Sequence, residues 1–124
     1  MACILIIDDE DDLRRSMRDA LEEAGHDVLE AENGARALDL LERKSADLIV
    51  TDIMMPETDG IEVVISLRRE NPDLPIIAIS GGGRMGSTNY LILAEKLGAN
   101  QVLRKPFRRQ QLVGAVRDCL AAAG

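Results

Sequence analysis

"CILIIDDEDDLRRSMRDALEEAG" spans residues 3–25, and how it is read decides the fold. The five residues at 3–7 are short and apolar without alternation, as expected of a strand covered on both faces. Leu13, Met17, Ala20, Leu21 and Ala24 then recur at i, i+4, i+7, i+8 and i+11, the apolar stripe of a helix that closes at Gly25. Between strand and helix stand five acids in a row, Asp8 to Asp12. Two unit charges about 5 Å apart repel by roughly 3 kcal/mol at an effective dielectric near 20, so such a cluster needs either a cation or a division of roles. Acids in the first turn favour the positive end of the helix, which accounts for Asp11 and Asp12. Asp8 and Asp9, at the strand end, are left for chemistry, with Glu10 at the rim.

The strand-then-helix unit repeats. Further short apolar runs occur at "DVLEA" (27–31), "DLIVT" (47–51), "PIIAI" (75–79) and "NQVLR" (100–104). Helical spacing follows them in turn: Ala37, Leu38 and Leu41 after Asn33-Gly34, and Ile61, Val64 and Ile65 after Asp59-Gly60. Tyr90, Ala94 and Leu97 mark a fourth helix, and Leu112, Val116, Cys119 and Leu120 a fifth. Five alternations predict an α/β fold, a doubly wound parallel sheet with five helices on its two faces. Its 124 residues make one domain, and no linker or repeat divides them.

In such a sheet ligands bind beyond the carboxyl ends of the strands. The residues there are Asp8, Asp9 and Glu10 after the first strand, Asp52 after the third, Ser80 after the fourth and Lys105-Pro106 after the fifth. Three gathered carboxylates suit a hard divalent cation with oxygen ligands, and magnesium fits better than zinc because no Cys or His cluster exists. A metal, an ammonium and a hydroxyl around one isolated carboxylate suit phosphoryl transfer onto it, giving an acyl phosphate on Asp52.

Taken in order, "ILIIDDE", "DLIVTDIMMPETDG", "PIIAIS", "LGA" and "KPF" resemble the receiver domain of two-component response regulators, over essentially the whole chain. The resemblance implies a flavodoxin-like sheet of order 2-1-3-4-5. It implies Asp52 as phosphoacceptor, Asp9 as a direct magnesium ligand, Asp8 as a ligand directly or through water, and the Met54 backbone carbonyl as another. Ser80 would bond a phosphoryl oxygen and Lys105 would pair with a second, with a cis peptide between Lys105 and Pro106. The implied donor is a sensor histidine kinase or a histidine phosphotransferase. With no output domain expected in residues 1–124, the response would pass to a downstream protein through the fourth helix, fifth strand and fifth helix.

Three positions bear on how that pattern would work here. The residue three before Lys105, an aromatic in many receivers, is Val102, which puts the usual aromatic switch in doubt and shifts attention to Tyr90 and the glycine loop. Met54 and Gly82, two beyond Asp52 and Ser80, offer no side chain to orient an attacking water.

Other classes fit less well. Gly81, Gly83 and Gly86 satisfy G-x-G-x-x-G, but no acid follows about twenty residues on, and Ser87 stands where a P-loop needs lysine. An aspartate-nucleophile phosphatase would carry its nucleophile on the first strand in a D-x-D-x-[TV] pattern that "DDEDD" lacks. A phosphorylation-independent module has no use for the carboxylate cluster. A formal net charge of −7 opposes direct contact with nucleic acid. No stretch is apolar enough to insert in a membrane, and the start lacks a signal-type segment, so a cytoplasmic location is expected. Cys3 and Cys119 read as small hydrophobes without a disulfide, and His26 as a turn residue after Gly25.

Overall fold

The computed structural model describes residues 2–53, 60–80 and 98–123. In chain order the elements are β1 (Cys3–Ile7), α1 (Asp11–Glu23), β2 (Asp27–Ala31), α2 (Gly34–Arg43), β3 (Leu48–Asp52), α3 (Gly60–Glu70), β4 (Ile76–Ser80), β5 (Gln101–Arg104) and α4 (Arg109–Ala123). The strands form one parallel sheet of order β2-β1-β3-β4-β5. Winding reverses direction between β1 and β3, so the crevice for a ligand opens where the two strands part company. Four of the five predicted helices lie among the described residues. The one marked by Tyr90, Ala94 and Leu97 lies outside them, so α4 is the fifth of the sequence reading. None of the described helices is long and apolar enough to cross a membrane.

Alternation along the strands splits the core in two. Leu5 and Ile7 of β1 join Ile49, Ile76 and Ala78 on the face covered by α2 and α3. Ile4 and Ile6 join Val50, Ile77 and Ile79 on the opposite face, under α1 and α4. Every residue of β3 and β4 is buried, which is why these strands read as unbroken apolar runs. Val102 is half-buried and packs against the α2/α3 side of the core, so this position is occupied by an aliphatic packing residue.

Local signals place the helix ends. Asn33 caps α2, its side chain accepting from the Arg36 amide at 2.9 Å. Gly25, at φ +97°, closes α1: its amide donates to the Glu22 carbonyl at 3.0 Å and that of His26 to Leu21 at 3.1 Å. This is the paired closure that a left-handed residue after a helix permits. His26 is a turn residue, half-buried, with Nδ1 accepting from the Ala2 amide at 3.3 Å. Both cysteines are free.

The third and fourth strands are displaced by one residue from the sequence reading. β3 begins at Leu48 and β4 at Ile76, because Pro75 has no N–H for the ladder and contributes only its carbonyl, which accepts from Ile49 at 3.0 Å. The displacement makes Asp52 and Ser80 the last residues of their strands. In α3 the buried stripe is Val63, Val64 and Leu67, with Ile65 half-buried.

Candidate functional site: an acidic crevice facing one lysine

The crevice is built by strand ends. Asp8 follows β1, Asp52 ends β3, Ser80 ends β4 and Lys105 follows β5, all at the carboxyl edge of the sheet. Asp8, Asp52 and Ser80 are buried, whereas Asp9 is exposed at the mouth. The Lys105 ammonium reaches back across β4 to Asp52 Oδ2 at 2.8 Å. It also lies 3.5 Å from Asp8 Oδ2 and 3.6 Å from Glu10 Oε1. The amide of Lys105 donates to the Ser80 carbonyl at 2.8 Å, which ties the end of β5 to that of β4. The Lys105-Pro106 peptide is cis.

One lysine faces an excess of acid. Asp8, Asp9 and Asp52 each present a carboxylate oxygen, and these oxygens lie within 4.8 Å of one another. Asp8 Oδ1 accepts from the Glu10 amide at 2.8 Å. Asp8 Oδ2 is buried with no hydrogen-bond donor, the single side-chain atom in that condition among the described residues. Burial pushes the Asp8 carboxyl up to about 6, against the opposing pull of the Glu10 amide and of Lys105. Burial draws Lys105 down, but its hydrogen bond to Asp52 and the attraction of Asp52, Asp8 and Glu10 prevail, and its pKa stands above the ordinary lysine value. A buried acceptor without a donor, beside two more carboxylates, fits a hard cation bound through oxygen.

The structure thus brings Asp8, Asp9, Asp52, Ser80 and Lys105 to one edge. Met54, Asp59 and the glycine loop at 81–86 lie outside the described residues. Sequence reasoning missed Thr51, fully buried beside Asp52, whose Oγ1 donates to the Asp52 carbonyl at 3.2 Å. It also missed Arg14 and Glu30. Arg14 donates to the Asp8 carbonyl at 2.6 Å and to Glu30 at 3.0 Å. The i, i+3 spacing from Asp11 to Arg14 was a local signal for one contact of that arginine; nothing local pointed to Glu30, sixteen residues on.

Comparison with known proteins agrees with this geometry. Residues 4–117 match the response regulator receiver domain family. The chain is 37% identical over 123 residues to the response regulator receiver protein CpdR of Brucella abortus, covering 99% of this chain and all of that one. Other curated relatives are longer: the chain spans about half the length of the response regulator MprA of a Mycobacterium species, at 36% identity over 117 residues. Among solved structures, a response regulator receiver domain protein from Clostridium thermocellum superposes with a TM-score of 0.90 at 31% identity, over 98% of this chain and 96% of the other. The chain belongs to the response regulator receiver domain family, the signalling module of two-component systems.

Proposed function

We propose that this receiver accepts a phosphoryl group on Asp52 from a phosphohistidine of a sensor histidine kinase or histidine phosphotransferase. A carboxylate oxygen of Asp52 attacks phosphorus, the P–N bond breaks, and its electron pair returns to the imidazole that leaves. The product is an acyl phosphate. The observation that carries this reading is the 2.8 Å approach of Lys105 to Asp52 beside the donorless oxygen of Asp8. Asp8, Asp9, Asp52 and the backbone carbonyl of Met54 would hold magnesium, which supplies charge neutralisation for the phosphoryl oxygens. Lys105 neutralises one such oxygen and the Ser80 hydroxyl donates to another.

The phosphorylated chain then signals by altered association rather than by turnover of a small substrate. It acts in the cytoplasm as a receiver module, in keeping with a match that covers the whole of CpdR. The contact surface comprises the fourth helix of the sequence reading, β5 and α4.

Beryllofluoride, a mimic of the acyl phosphate, tests the proposal. With magnesium present, it should shift backbone amide resonances around Asp52, Ser80 and Lys105 in the wild type and leave Asp52→Ala unchanged. No Asp52-dependent change would instead favour a phosphorylation-independent interaction module.

A further inference from the structure

Asp8 is held on three sides. Its amide donates to the Ala31 carbonyl of β2 at 3.1 Å, its Oδ1 accepts from Glu10, and its carbonyl accepts from Arg14 Nη1 at 2.6 Å. Only Oδ2 is left to face the crevice. Arg14 is itself fixed: Nη2 donates to Asp11 Oδ1 at 2.6 Å and Nε to Glu30 Oε1 at 3.0 Å, and its side chain is 13% exposed. Glu30, on β2, is clamped in turn by Arg18, whose Nη1 donates to Oε2 at 2.6 Å. All three guanidinium nitrogens of Arg14 are therefore used, spanning α1, β2 and the bend after β1, a fork that an ammonium cannot reproduce.

We propose that Arg14 is a positioning residue for the magnesium-binding carboxylates, locking the Asp8-Asp9 bend to β2 through Glu30. The proposal rests on the reading of Asp8 and Asp9 as magnesium ligands and adds a residue that touches neither metal nor phosphate. Groups that orient metal ligands from behind commonly change affinity by 10- to 100-fold when removed. Electrostatics alone predicts the opposite sign here, because deleting a nearby cation should strengthen magnesium binding. Arg14→Lys keeps the charge and loses the fork, which separates the two effects.

The test is a magnesium titration of the whole chain followed by NMR amide shifts, with melting temperatures measured in EDTA for the same proteins. Arg14→Lys and Arg14→Ala should each bind magnesium about tenfold more weakly than wild type. Arg18→Ala, which removes a second partner of Glu30 but leaves all three bonds of the Arg14 fork in place, should stay within about twofold. Should Arg14→Ala fail to fold, Arg14→Lys alone decides the matter. Wild-type affinity in Arg14→Lys, or an equal loss in Arg18→Ala, would overturn the positioning role while leaving the metal assignment intact. A wild-type chain that binds no magnesium would overturn the metal assignment and this inference with it.

Discussion

Lys105 Nζ meets Asp52 Oδ2 at 2.8 Å although β4 separates their strands and 53 residues separate them in the chain. The contact is possible because β5 ends level with β3, so a side chain beyond β5 crosses the top of β4. Lys105 pairs with the carboxylates of both Asp8 and Asp52. Replacing it with methionine removes the cation that these two buried carboxylates share, at a cost of about 3 kcal/mol in EDTA. Urea unfolding of Lys105→Met should show that loss, and saturating magnesium should recover more stability in the variant than in wild type.

Magnesium itself should stabilise the fold, because the ion binds the assembled crevice and not the unfolded chain. At a concentration tenfold above its dissociation constant the gain is about 1.4 kcal/mol. For a domain of this size that corresponds to a rise in melting temperature of about 5 °C. Calcium-free buffer with added EDTA gives the baseline, and a magnesium-insensitive melting temperature would count against Asp8, Asp9 and Asp52 as a metal site.

Asp8 predicts an inverted pH dependence. Its folded pKa, pushed up to about 6, exceeds that of an unfolded aspartate near 4. Between these values the folded chain keeps a proton that the unfolded chain has lost, so the contribution of Asp8 is full below pH 4 and is lost as pH rises through 6. Asp8→Asn removes that penalty. In EDTA it should be more stable than wild type by roughly 2–3 kcal/mol at pH 7.5 and equal to it near pH 3.5. Urea titrations across this range give the answer, and an equal advantage at both ends would refute the account.

Gly98 is favoured by its backbone conformation first and by packing second. Its φ is +117°, and a Cβ there would stand 3.0 Å from Arg68 Nε. Arg68 closes this end of the sheet by donating to the Gly98 carbonyl at 2.6 Å and to Asn100 Oδ1 at 2.9 Å. Gly98→Ala should cost about 1–3 kcal/mol from backbone strain and displace Arg68 as well. Gly25→Ala meets open space and should cost less. Thermal unfolding of the two variants compares them directly.

These features were unequally legible in the sequence. Strands β1 and β2 could be read to the residue, since their apolar runs are bounded by acids and turn signals. Asp8, Asp9, Asp52, Ser80 and Lys105 could be assembled because a parallel sheet places all its strand ends at one edge. The phase of α3 could not be chosen: "IEVVISL" has five apolar residues in seven, so Ile61 and Ile65 competed with Val63 and Leu67 for the core. Arg14 and Glu30 were illegible for a different reason. Their pairing depends on α1 packing over β2, and an ion pair between elements leaves no period or spacing in the chain.

The central claim is that Asp52 is the phosphoacceptor, and intact-mass spectrometry after incubation with acetyl phosphate and magnesium tests it most directly. The account predicts one added phosphoryl group on the wild-type chain, absent in EDTA and absent in Asp52→Asn. An unmodified wild type, or a phosphoryl group retained by Asp52→Asn, would contradict it.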